Sequence, residues 1–154
     1  MSGLALPIFY SPDNPEKRKP DMDLKDLTPK TDTIEVTIVH PFEDKVLKNE
    51  DGSDMTITLY TEYSKPYKTE LHRQTNIKLK RMQKNGGKVE MTAEQIEESA
   101  YEMMAAITKE WNITYEGKLI PLTLENAKRV YTELFWLREQ LEAAMAEAKD
   151  FTKA

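Results

Sequence analysis

The chain has 154 residues, with 22 Lys and Arg against 27 Asp and Glu (net charge −5), and no cysteine. The length fits one domain able to bury about 70% of its unfolded surface, and the missing cysteines exclude disulfides, thiol nucleophiles and thiolate metal sites. No apolar run approaches the ~20 residues needed to span a bilayer, and Met1–Ala5 lacks the Lys or Arg of a secretory signal, so a soluble, intracellular, mildly acidic protein is expected.

Five of the eight prolines (Pro7, Pro12, Pro15, Pro20 and Pro29) fall in the first 32 residues, which are polar and show no sustained period. Residues 1–32 therefore read as a flexible, proline-rich arm, and residues 33–154 as a single α+β domain. The arm has one apolar stretch, Leu4 to Tyr10, in which Phe9 and Tyr10 are candidate docking residues. They pack either on the chain's own domain or on a neighbouring subunit.

From residue 33 the pattern turns to period two. Ile34, Val36 and Ile38 alternate with Glu35 and Thr37, and Met55, Ile57 and Leu59 alternate with Thr56 and Thr58. Half-buried strands give this alternation. Asp51-Gly52 marks a turn between them, so an antiparallel strand pair with a long loop is predicted.

Ser64 is a predicted N-cap with Pro66 in the first turn of a helix that Gly86-Gly87 ends, and Tyr60, Tyr63, Tyr67 and Leu71 could stack on one side of it. A second helix begins at the Thr92/Gln95 capping box, with Met91 and Ile96 as its hydrophobic staple. Its predicted buried face runs through Ile96, Ala100, Met103, Met104, Ile107 and Trp111. A small hairpin is predicted over Ile113–Ile120, turning at Glu116-Gly117. Thr123 then caps a long final helix with a buried stripe of Ala127, Val130, Leu134, Leu137, Leu141 and Met145. The expected fold is thus an N-terminal strand pair followed by a helix-rich part, with a hairpin between the last two helices.

Catalysis needs converging groups, and the spacing offers none. His40 and His72 stand alone, without metal-ligand spacing. The chain contains no G-x-S-x-G, P-loop or dinucleotide fingerprint, and Gly86-Gly87 reads as a helix stop. Glu94, Glu97, Glu98 and Glu102 read as a solvated face near a helix N-terminus. No catalytic residue, metal site or cofactor is expected.

Two features could bind a partner. Residues 65–88 carry eight Lys and Arg, including Lys78 and Arg81, against the single acid Glu70, a sum of +7. Residues 89–154 sum to −6. The opposite blocks could pair within the chain, between subunits or with a protein partner. Nucleic acid is the weaker reading, because no recognition motif accompanies the charge. The second feature is Phe135-Trp136. On a straight helical wheel Trp136 lies about 140° from the apolar stripe, beside Arg129 and Glu133. It is either covered by another element or exposed as an interface anchor.

The order of motifs resembles one family. Ile34-Glu35-Val36-Thr37-Ile38-Val39-His40-Pro41 is similar to an opening strand. Ile57-Thr58-Leu59-Tyr60 with Tyr63-Ser64-Lys65-Pro66-Tyr67-Lys68 is similar to a second strand and the lead-in to a helix. Trp111 to Lys118 looks like a tryptophan followed by a glycine turn, and Thr123-Leu124-Glu125-Asn126 like the start of the last helix. Leu137-Arg138-Glu139-Gln140-Leu141 with Asp150-Phe151 looks like the closing segment. Together these motifs, over about residues 33–152, resemble the tail assembly chaperones of siphophages.

The resemblance implies a helix-rich protein of the host cytoplasm that binds the tape measure protein, keeps it soluble, promotes tail tube assembly and is not retained in the mature virion. It further implies a frameshifted longer form, of which this chain, ending soon after Phe151, would be the shorter; self-association would suit the basic and acidic faces of the chain. No membrane and no cofactor enter. The alternative is a structural virion component, such as a minor tail or head–tail completion protein.

Overall fold

In a computed structural model, residues 23–24, 32–88 and 90–153 are described, without the side chains of residues 150–153. The chain divides into two units, Met1–Lys30 and Thr31–Ala154, and the elements named below belong to the second. Phe9, Tyr10 and nearly all of the expected arm lie outside the described residues.

Strands β1 (Thr33–Thr37) and β2 (Thr56–Tyr60) pair antiparallel, with Ile34 opposite Leu59 and Val36 opposite Ile57. Side chains alternate across a strand, so these four share one face, on which Ile57 and Leu59 are fully buried. The long connection between the strands runs through isolated bridges at Val39–Val46 and Lys48–Asp54. Its turn at Asp51-Gly52 is as the sequence indicates: Gly52 adopts φ 89°, and the Asp51 carboxylate accepts the Ser53 backbone N–H at 2.9 Å. The α+β expectation of a strand pair followed by helices is met.

Helix α1 (Lys65–Lys84) begins at its Ser64 N-cap, whose Oγ accepts from Tyr67 N at 3.2 Å and donates to Thr61 O at 2.7 Å. Helix α2 (Ala93–Ala106) opens on the full Thr92/Gln95 capping box, in which Gln95 Oε1 accepts from Thr92 N at 3.0 Å and Thr92 Oγ1 from Gln95 N at 3.2 Å. Trp111 does not extend the α2 face. The helix ends at Ala106, and the chain enters a third strand, β3 (Thr108–Asn112), which pairs with the free edge of β2 and sets Trp111 opposite Ile57.

Thr108 makes this switch. Its hydroxyl donates to Met104 O at 2.8 Å, which leaves the buried Tyr131 hydroxyl, 2.7 Å away, to donate to Thr108. Trp111 is then fixed by its indole N–H on Ile120 O at 2.8 Å and by an edge-on contact with Tyr131, 6.2 Å between centroids. The predicted hairpin forms as β4 (Thr114–Tyr115) and β5 (Lys118–Leu119) around Glu116-Gly117, both at positive φ.

The long final helix is in fact two. Helix α3 (Leu124–Glu133) starts at the predicted Thr123 cap, and helix α4 (Phe135–Lys153) follows a break at Leu134, where φ is −114° and ψ 78°. Leu134 N–H still closes α3 on Val130 O at 2.8 Å, while Leu134 O accepts the first bond of α4 from Leu137 N at 3.0 Å. Residues 130–138 contain no Pro or Gly, so neither of these helix breakers accounts for the break.

One core unites these pieces: Ile57 and Leu59 from the sheet, Tyr101, Met104 and Ala105 from α2, Ala127, Val130 and Tyr131 from α3, and Leu137 and Leu141 from α4. Gln140 ties α4 to the strand connection through both ends of its amide, accepting from Val39 N at 3.1 Å and donating to Val39 O at 2.7 Å.

Candidate partner-binding site

Helix α1 is anchored at one end only. Ser64 and Glu70 are buried and Tyr67 packs on the core, whereas from Leu71 onward only Gln74, Ile77 and Met82 are even half-buried. The N-terminal half of α2 is similarly open: Ile96 is 58% exposed, not buried as its helical spacing suggests. The α1 and α2 ends that meet across the Asn85–Thr92 connection thus extend past the core.

A charged relay fixes this pair of helices. Glu70 accepts a two-pronged bond from Arg73 (2.8 and 2.6 Å) and a third from Gln74 at 2.9 Å, and the same Gln74 amide donates to Ser99 O on α2 at 3.0 Å. Arg73 also reaches Glu102 on α2 at 3.2 Å, and Lys128 on α3 pairs with Glu102 and Glu98 at 3.4 and 3.6 Å. Burial alone would raise the Glu70 pKa. The Arg73 and Gln74 hydrogen bonds and the Arg73 charge outweigh it and hold the carboxyl below its ordinary range. Donating to the Glu70 carboxylate in turn pushes the Arg73 pKa up against its own desolvation.

The remaining cations of α1 are not absorbed. Among the described residues, Lys65, Lys68, Lys78, Lys80, Arg81 and Lys84 make no ion pair, so of this helix's cations Arg73 alone is matched by a described acid. Lys78 and Arg81, both candidates from the sequence, come together in a cleft of about 470 Å³ between α1 and α2. Leu71, Ile77, Met91 and Ile96 also line it. The apolar part of this cleft is missed by reading periodicity, which assigns Ile96 to the core. The signal available was composition: a helix so rich in Lys and Arg cannot bury its few apolar residues on every side.

The other candidates are dispersed. Arg129 is engaged with Glu116 at 3.2 Å and lies over the Tyr115 ring, tying α3 to the β4–β5 turn. Trp136 is half-buried against the core. Phe135 is 46% exposed and stacks on the Arg138 guanidinium at 4.7 Å, whose carbon also lies 4.6 Å from the Tyr101 ring centroid. Arg138 Nε and Nη1 are buried without a hydrogen-bond partner, with Glu142 3.7 Å from Nε. His40 is a turn residue, its Nδ1 accepting from Phe42 N and Glu43 N at 3.1 Å each. Among the described residues no cluster of acids and histidines is placed to hold a metal, and no helix is long and apolar enough to cross a membrane.

No family model, curated protein or solved structure matches the chain.

Proposed function

We propose that this protein is a phage tail assembly chaperone, a non-catalytic cover that binds the tape measure protein, keeps it soluble in the host cytoplasm, promotes tail tube assembly and is left out of the mature virion. The observation that carries the reading is the cleft between α1 and α2, where apolar side chains and unpaired cations stand open together. A long helical polypeptide with an apolar stripe aggregates unless that stripe is covered, and covering it needs apolar contacts rimmed by charge rather than a reacting group. The resemblance supports the same reading. Its quoted segments overlap β1 and β2 and include the α1 cap, the β4–β5 turn and the α3 cap.

The test is co-expression with the tape measure protein of the same phage, without added nucleotide or metal. The tape measure protein should move from the insoluble to the soluble fraction and co-purify with this chain, and an unchanged insoluble fraction would count against the proposal. Mass spectrometry of purified particles separates the chaperone from a structural tail or head–tail protein, because a chaperone is absent or scarce there.

A further inference from the structure

We propose that the cleft between α1 and α2 is a docking groove for an acidic amphipathic helix. The inference rests on the chaperone reading for which polypeptide supplies that helix, and on the geometry alone for its chemistry. Leu71, at 45% exposure, and Ile96, at 58%, are costly to leave in water, and with Ile77 and Met91 they give the cleft an apolar lining from both helices. Lys78 and Arg81 are three residues apart, so they lie on neighbouring turns of one α1 face and offer two cations about one helical turn apart. An incoming helix meets such a groove with apolar anchors at i, i+3, i+4 and i+7. Carboxylates one turn apart on its flank then face Lys78 and Arg81.

The charge pattern favours this occupant over a phosphate backbone. Glu98 and Glu102 line the same cleft from α2, and although both are tied to Lys128 they would oppose a densely anionic ligand. A helix with acids on one flank only can place them toward α1 and leave α2 to its apolar side. The docked helix would also neutralise cations that the acids among the described residues leave unmatched.

The test uses the full chain and three fluorescent probes in anisotropy titrations at moderate salt. One is a helical peptide of about 20 residues with Leu at i, i+3, i+4 and i+7 spacing and Glu on one flank only. The second carries Lys in place of Glu, and the third is a short double-stranded DNA. The acidic peptide should bind, and the basic one at least about tenfold more weakly. The double variant Lys78→Glu/Arg81→Glu and the single variant Ile96→Ser should each weaken the acidic peptide about tenfold or more. All three substituted side chains are exposed, so circular dichroism and melting should be unchanged.

Equal binding of both peptides, no binding of the acidic one, or indifference to the variants overturns the groove. So does DNA that competes with the acidic peptide. A change of sedimentation mass on Lys78/Arg81 reversal also overturns it, by making the cleft a contact between copies. Co-expression separates the two ideas. If wild type and double reversal solubilise the tape measure protein equally, the groove falls and the chaperone stands. If the peptide results hold while wild type leaves the tape measure protein insoluble, the chaperone reading falls and the groove stands.

Discussion

Replacing Glu70 with Gln removes one negative charge from the centre of the relay that joins α1 to α2. The carboxylate accepts three hydrogen bonds, two from Arg73 and one from Gln74, and its side chain is 9% exposed. Gln keeps one acceptor oxygen and loses the charge. Hydrogen bonds to charged groups contribute about 1.5–3 kcal/mol when dry, but Arg73 is 47% exposed and solvent screens the pair, so the expected loss is ~1–2 kcal/mol at pH 7. For a chain of this length that is a drop in Tm of roughly 3–8 °C.

The pH dependence has a definite sign. Because folding lowers the Glu70 pKa, its contribution is complete above the unfolded value of about 4.3 and is lost as pH falls through the lower, folded value. Urea unfolding of wild type and Glu70→Gln, followed from pH 7 to pH 2.5, should show the gap between them shrinking in acid. A gap equally large at both ends, or none at neutral pH, would refute the ionic account.

Three further outcomes follow from buried polar contacts and aromatic packing. Tyr131→Phe removes one donor to Thr108 and should cost about 1 kcal/mol, whereas Thr108→Val strands the buried Tyr131 hydroxyl and should cost ~2–3 kcal/mol. The double variant should then be more stable than Thr108→Val alone, as a urea double-mutant cycle would show. Gln140→Ala frees both backbone groups of Val39 and should cost ~1–2 kcal/mol, with amide exchange at Val39 accelerated more than at Leu59. Trp136→Ala should lower Tm by several degrees because Trp136 packs on the core, whereas Phe135→Ala should shift stability by no more than about 1 kcal/mol in thermal melts.

The sequence was most readable where a single residue type has a geometric duty. Ser64, Thr92 with Gln95, and Thr123 all cap the helices they were expected to cap, and Glu116-Gly117 turns the hairpin. The alternation of Ile34/Val36 and Ile57/Leu59 placed β1 and β2 because period two has no helical counterpart. Trp111 failed for the opposite reason. Its spacing four residues after Ile107 continues a helical stripe, and no Gly or Pro marks the end of α2. Where the helix stops, the chain pairs with β2 and Thr108 bonds to Tyr131, partners that lie over twenty residues away in sequence. The break at Leu134 is equally silent in sequence.

For the candidate site, Lys78 and Arg81 were visible as charge, since a run of like cations needs no fold to be noticed. That the acidic block leaves them unmatched was not visible, because pairing depends on which faces meet. Ile96 was misjudged because periodicity reports which side of a helix is apolar and not how far the core reaches along it.

The chain leaves the sheet at Tyr60 and rejoins it at Thr108, and the two points are stitched together by Tyr60 N donating to Ile107 O at 2.8 Å. Everything between them is an excursion whose base is closed, and its outer end carries no core residue among the described residues. Whole turns could be added to or removed from that outer end while strand register and core stayed as they are, since the described core residues all lie outside it. How far this helix pair projects is therefore adjustable in this architecture independently of the scaffold that supports it.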